Sequence, residues 1–145
     1  MLARRPLSEG EVAVRLLRKE IPESAIPPVL ARLRDLMLID DAALCRQLVR
    51  SYRETRGYGP AKIAWKLTSR GFPRPIIEEA MREECTQESI AATAIRALRK
   101  KYRDGIPPGR EGASKAYRFL AGRGFPLEIC RRAIGGRRAE TEGEE

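Results

Sequence analysis

Apolar positions recur at helical spacing from one end of the chain to the other, and no stretch alternates with the period of two that marks a half-buried strand. Ser8-Glu9-Gly10-Glu11 has capping-box spacing and predicts a helix to about Lys19. Ile26, Val29, Leu30 and Leu33, continued by Leu36 or Met37, mark a second stripe, and Pro27 and Pro28 fit only its first turn. Asp40 can cap a third helix over 41–56, with Leu44, Leu48, Val49 and Tyr52 on one face and Gly57 just past its end. A short helix from Pro60 carries Ile63, Ala64 and Leu67 and stops at Gly71. The next, from Pro73, carries Ile76, Ile77, Ala80 and Met81. Thr86 is the cap expected for a long helix over 87–103. A loop from Gly105 to Gly112 separates it from a helix containing Ala116, Tyr117 and Leu120 that ends at Gly124. The last helix is expected from Pro126 to about Ile134. Gly135-Gly136 should end it and leave a disordered Glu-rich tail.

Three segments align without gaps: Leu16 to Pro22, Leu67 to Pro73 and Leu120 to Pro126. Each has a Leu, a basic residue three positions on, then one residue, an apolar residue and Pro. The second and third read Arg70-Gly71-Phe72-Pro73 and Arg123-Gly124-Phe125-Pro126. Glycine at positions 71 and 124 permits the left-handed turn that stops a helix, and the following Pro pre-sets the next one. The unit is therefore a long helix and two shorter ones, with the first copy missing its long helix. The expected organisation is all-α: residues 1–39 as a truncated first repeat, 40–85 and 86–135 as complete three-helix repeats, and 136–145 as an acidic tail. Units this small bury too little alone, so they must pack on one another or on a ligand.

Charge sharpens this picture. The 145 residues carry 29 Lys plus Arg against 20 Asp plus Glu, a net +9. The excess is concentrated: residues 42–77 hold eight basic residues against Glu54 alone, whereas 78–88 are acidic. Arg dominates, and its planar fork suits bidentate contact with phosphate or carboxylate. Arg46, Arg50 and Arg53 share one side of helix 41–56 and form either a basic ridge for a polyanion or a solvated face. Arg56-Gly57-Tyr58-Gly59-Pro60, followed by Lys62, Lys66 and Arg70, sets backbone N–H groups and an aromatic ring beside cations. That composition fits phosphate contact and stacking, or simply a turn with Tyr58 packed on its neighbour. Arg96, Arg99, Lys100 and Arg103, with Lys101 among them, repeat the ridge in the third unit, and Lys115, which occupies the repeat position of Lys62, joins Arg118 and Arg123 as further candidates. Trp65 falls outside the Ile63–Leu67 stripe, as an anchor between units or as an interface residue. Glu140, Glu142, Glu144 and Glu145 either mimic a nucleic acid or only solubilise the chain.

Several classes fall away. The chain has no His, and Cys45, Cys85 and Cys130 are isolated, so imidazole relays and the usual zinc or haem spacings are missing. Phosphate-loop and dinucleotide fingerprints are missing too, and a cap explains Asp40 better than a metal ligand does. No apolar run approaches the ~20 residues of a membrane span. The expectation is a cytoplasmic, monomeric, non-enzymatic chain without cofactor or metal.

The run Leu38-Ile39-Asp40-Asp41, then Arg56-Gly57-Tyr58-Gly59-Pro60-Ala61-Lys62-Ile63, then Leu67-Thr68-Ser69-Arg70-Gly71-Phe72 resembles the central motif of the RecX regulatory proteins, and Leu120, Arg123, Gly124 and Phe125 repeat its ending. The resemblance covers roughly residues 12–134. It implies an elongated, curved array of three-helix units that modulates the RecA recombinase. Such a protein binds in the groove of the RecA–DNA filament and inhibits its growth, ATP hydrolysis and strand exchange. The partners implied are the RecA filament and single- or double-stranded DNA, with no membrane. The residues alone leave a second reading open, a general DNA- or RNA-binding helical module without a recombinase partner.

Overall fold

The fold was analysed in a computed structural model that describes residues 5–142, with Glu142 described by its backbone alone. Among the described residues there are eight α-helices and one 3-10 turn, and no strand. They are α1 (Glu9–Arg18), α2 (Ile26–Asp35), α3 (Asp41–Glu54), α4 (Pro60–Ser69), α5 (Arg74–Glu84), α6 (Gln87–Lys101), α7 (Gly109–Gly122) and α8 (Leu127–Glu142), with the 3-10 turn at Glu23–Ala25. The expected caps form. Ser8 and Glu11 complete a reciprocal capping box, the Asp40 carboxylate accepts from the Ala43 N–H, and Thr86 and Ser89 cap α6 between them.

Helix packing follows the repeat. The helices pack chiefly within α1–α2, α3–α4–α5 and α6–α7–α8, and the result is a tandem array of three units. The second unit closes over Leu44, Cys45, Val49, Ile63, Leu67, Phe72 and Ile77, and the third over Ile90, Ala94, Leu98, Leu120, Phe125 and Ile129. Leu67 and Leu120, and Phe72 and Phe125, are repeat equivalents. Fully burying one such side chain contributes about 1.5–3 kcal/mol. Cys85 touches both cores. In α1 and α2 only Ile26 is buried, so the first unit depends on its neighbour.

The units meet at two narrow joints built on one plan. At each, the helix-ending turn of one unit lies on the N-terminus of the middle helix of the unit before it. The Ser8 hydroxyl donates to the Arg70 carbonyl at 2.7 Å, and at the equivalent position the Gly59 N–H donates to the Arg123 carbonyl at 2.7 Å. The Ala61 N–H donates to the Gly124 carbonyl at 3.1 Å. Main chains approach so closely that a Cβ on Gly59 would lie 2.5 Å from the Gly124 carbonyl carbon, and one on Gly124 would lie 2.4 Å from the Lys62 nitrogen. Gly71 and Gly124 also take positive φ, 86° and 94°, and Glu20 occupies the same left-handed position at 64°.

Three expectations need correction. The loop before α7 is shorter than expected, because α7 starts at Gly109 and Gly112 packs inside a helix against the Pro107 carbonyl. Pro73 and Pro126 sit just outside their helices rather than in the first position. Most importantly, α8 does not stop at Gly135-Gly136 but runs to Glu142. Arg137, buried on α8, donates to the Tyr102 and Arg103 carbonyls at 2.8 and 3.0 Å, and Arg138 donates to those of Pro107 and Gly109 at 3.0 and 2.9 Å. Tertiary contacts to the 102–109 loop thus outweigh the roughly 1 kcal/mol that each helical Gly costs. Residues 136–142 are therefore helical rather than a disordered tail, and Glu144 and Glu145 lie outside the described residues.

Two substitutions separate these roles by thermal unfolding. Gly124→Ala combines a left-handed residue with a backbone clash and is expected to destabilise by at least about 2 kcal/mol. Gly135→Ala, with open space at its Cβ inside α8, is expected to stabilise by roughly 0.5–1 kcal/mol.

Candidate functional site: a cationic cleft

The second joint shapes a cleft of about 410 Å³, lined by Arg53, Arg56, Arg96, Lys100, Lys101 and Arg123 together with Glu54, Gly57 and Phe119. Three elements deliver these cations: the end of α3 and its loop, one face of α6, and the turn after α7. Phe119 lies between Lys101, whose Nζ is 5.7 Å from the ring centroid, and Arg123, whose guanidinium carbon is 5.0 Å away. Arg123 Nη1 donates to the Arg56 carbonyl at 2.6 Å, and Arg96 Nη2 donates to Thr93 Oγ1 at 3.1 Å. Among the described residues no carboxylate lies within ion-pair distance of Arg56, Arg96, Lys100, Lys101 or Arg123. Cations packed this way repel one another, so the cleft is arranged for an incoming anion. Exposed phosphates or carboxylates would find planar donors at several angles.

The other sequence-predicted residues divide. Arg46 and Arg50 face the acidic end of α5, at 3.6 Å from Glu83 and 3.5 Å from Glu84, so most of the α3 ridge is met from within the chain. Arg53 is mostly buried and reaches Glu54 at 3.2 Å. Arg99 is paired with Glu140 of α8 and Lys115 with Glu111 at 3.8 Å. Arg103 is exposed beyond the cleft. Arg118 lines a separate open groove on α7 and α8 with Arg110, Tyr117, Leu127 and Arg131. Tyr58 is half-buried beside Tyr52, with Lys62 Nζ 4.6 Å and Lys66 Nζ 5.8 Å from its ring centroid. Trp65 is 65 % exposed, so it does not anchor units together.

Arg70, the repeat equivalent of Arg123, has a different occupation. Its Nη2 donates to Glu11 Oε1 at 2.8 Å and to the Pro6 carbonyl at 3.1 Å, and its Nε donates to Glu11 Oε2 at 3.1 Å. At the second joint the position equivalent to Glu11 is Lys62, so Arg123 has no such partner. Asp41 completes the first joint: buried at 4 % exposure, it accepts from the Glu9 N–H at 2.9 Å and so caps α1 from the start of α3. Burial pushes the Asp41 carboxyl up, helped by the charges of Glu9, Asp40 and Glu11, against the Glu9 hydrogen bond. Burial also raises Glu11, but the bonds from Arg70 and the Ser8 N–H, with the charges of Arg70 and Arg5, outweigh it and hold that carboxyl below its ordinary value. Sequence reasoning missed this role of Asp41 and a groove of about 470 Å³ beside the first joint lined by Arg5, Arg15, Arg18 and Arg70. The repeat register carried a signal for that groove, since Arg5 and Arg15 are equivalent to Arg56 and Lys66.

The Arg70–Glu11 contact sets a pH dependence. A carboxyl lowered by folding adds stability above its unfolded value and loses it as pH falls through the folded one, whereas the raised Asp41 acts in the opposite direction. Arg70→Ala is expected to cost about 2 kcal/mol at neutral pH, with the gap to the unaltered chain closing below roughly pH 4. Denaturant titrations across that range measure it.

Comparison with known proteins agrees with this architecture. Family models described as RecX first, second and third three-helix domains match residues 1–33, 40–81 and 87–134. A "Regulatory protein RecX" of Pseudomonas entomophila is 33% identical over 137 residues, covering 94% of this chain and 86% of its own length. One of Thermus thermophilus is 33% identical over 144 residues, covering 99% and 90%. The crystal structure of RecX from Lactobacillus salivarius superposes with a TM-score of 0.80 at 24% identity, over 96% of this chain and 88% of that one. Three unit-by-unit matches cover most of one chain of three joined units, and the chain belongs to the RecX family of regulatory proteins.

Proposed function

We propose that the chain regulates the RecA recombinase by binding the RecA nucleoprotein filament and restraining its growth, ATP hydrolysis and strand exchange. The observation that carries this reading is the cationic cleft at the second joint, where five cations that no carboxylate among the described residues pairs converge in a chain of the RecX family. The cleft takes DNA phosphates or acidic side chains of the filament surface. The array form gives reach: separate weak contacts along one chain of joined units add through effective concentration. The chain acts as a monomer in the cytoplasm, and it regulates by occupancy rather than by catalysis.

Arg96 and Lys100 are cleft residues whose change leaves the joint alone, because neither bonds across it. In an assay of RecA ATPase on single-stranded DNA, added protein is expected to inhibit, and Arg96→Ala with Lys100→Ala to require on the order of ten-fold more protein for the same inhibition. If the two side chains meet phosphates, the logarithmic salt slope falls by about 1 for each contact removed. Undiminished ATPase at several-fold excess of the unaltered protein contradicts the reading. DNA binding that is steep in salt and gains nothing from RecA supports the general nucleic-acid module instead.

A further inference from the structure

We infer that the exposed face of α4 is a stacking platform for single-stranded nucleic acid, with Trp65 as its terminal ring. The inference deepens the proposed function, on whose polyanion-binding reading it rests, by naming the form of nucleic acid the second unit prefers.

Tyr58 precedes α4, and Lys62, Trp65, Lys66 and Ser69 follow at helical spacing on one stripe, while Ile63 and Leu67 point into the core. The stripe holds no acidic side chain. Trp65 is 65 % exposed, and Lys66 Nζ lies 5.9 Å from its centroid while also lying 5.8 Å from that of Tyr58. Lys62 lies 4.6 Å from the Tyr58 ring. Trp65 is thus the ring that offers a face to a base, while Tyr58, packed on Tyr52 and the second core, holds the two ammonium groups that offer charge to the neighbouring phosphates. Because the Lys66 ammonium reaches both rings, they lie within about 12 Å of each other, a span of about three bases at their ~3.4 Å stacking distance.

The surroundings favour this ligand over a protein partner. An aromatic anchor in a protein interface sits at the centre of an apolar, desolvated patch. On α4, Trp65 has no other exposed large apolar side chain beside it, only Ala61, Thr68, Ser69 and the lysines. Duplex DNA buries its base faces inside its own stack and offers no plane to an indole. The equivalent positions in the other units are Val14 and Arg118, so the feature belongs to the second unit alone. It also adjoins the cleft: Arg56 and Gly57 line the cleft, and Tyr58 begins the stripe. A strand whose phosphates occupy the cleft is carried by the 56–58 loop onto α4.

Trp65 is the chain's single tryptophan, which makes the test direct. The full chain is titrated with single-stranded oligothymidylate of roughly 15 nucleotides and with a duplex of equal length, following indole emission and, separately, the anisotropy of labelled DNA. The single strand is expected to quench the indole, and Trp65→Ala to lower its affinity about 5- to 50-fold with Trp65→Phe restoring most of it. Duplex affinity and the melting temperature should stay near those of the unaltered chain. Saturated binding of the single strand with unchanged emission, equal binding by Trp65→Ala, or no binding of the strand overturns the platform. The same variants in the RecA ATPase assay keep the two ideas apart. Loss of inhibition by Trp65→Ala with intact strand binding overturns stacking and leaves the regulator. Weakened strand binding in a chain whose unaltered form never inhibits RecA supports stacking and overturns the regulator.

Discussion

The structure depends on one close contact, the lodging of a helix-ending turn against the start of a helix in the preceding unit. At the second joint Gly124 and Gly59 bring main chains together at distances no side chain tolerates. Two backbone hydrogen bonds, from Gly59 and Ala61, fix the register. A joint made of backbone holds its angle through directional bonds rather than through the bulk of an apolar interface. That angle presents the end of α3 to α6 and α7, and the cleft exists only where those surfaces face each other.

The same joint explains why two equivalent arginines have different roles. At the first joint the Arg70 guanidinium meets Glu11 and is used within the molecule. At the second, Lys62 stands where Glu11 would be, and Arg123 lies over Phe119 at the edge of an anion cleft. One repeat sequence thus yields a structural clamp in one place and a recognition surface in the next, decided by the sign of a single neighbouring side chain. The first unit, with only Ile26 buried in its helices, needs the clamp more than the second does.

The helices, their caps and the three-unit repeat were legible because each rests on local chemistry: Ser8, Asp40 and Thr86 at helix starts, Gly71 and Gly124 at ends, Leu67 and Leu120 in the cores. The failures came from interactions distant in sequence. Gly135-Gly136 reads as a stop until the loop carbonyls that hold Arg137 and Arg138 are known. Arg46 and Arg50 read as a free ridge until α5 folds back and sets Glu83 and Glu84 beside them. Asp41 reads as the second half of an acidic pair, and its service to α1 joins residues 32 positions apart. Charge pattern shows which stretches of the chain are basic, but which cations stay unpaired is a tertiary property.

The most direct check on the central claim is hydrogen exchange of the chain alone and on RecA filaments, resolved along the sequence. The account predicts new protection at residues 53–59, 96–101 and 119–124, the three stretches that the second joint brings together. Protection confined to α1, α2 or the acidic end of α5, with the cleft exchanging as in the free chain, would contradict it.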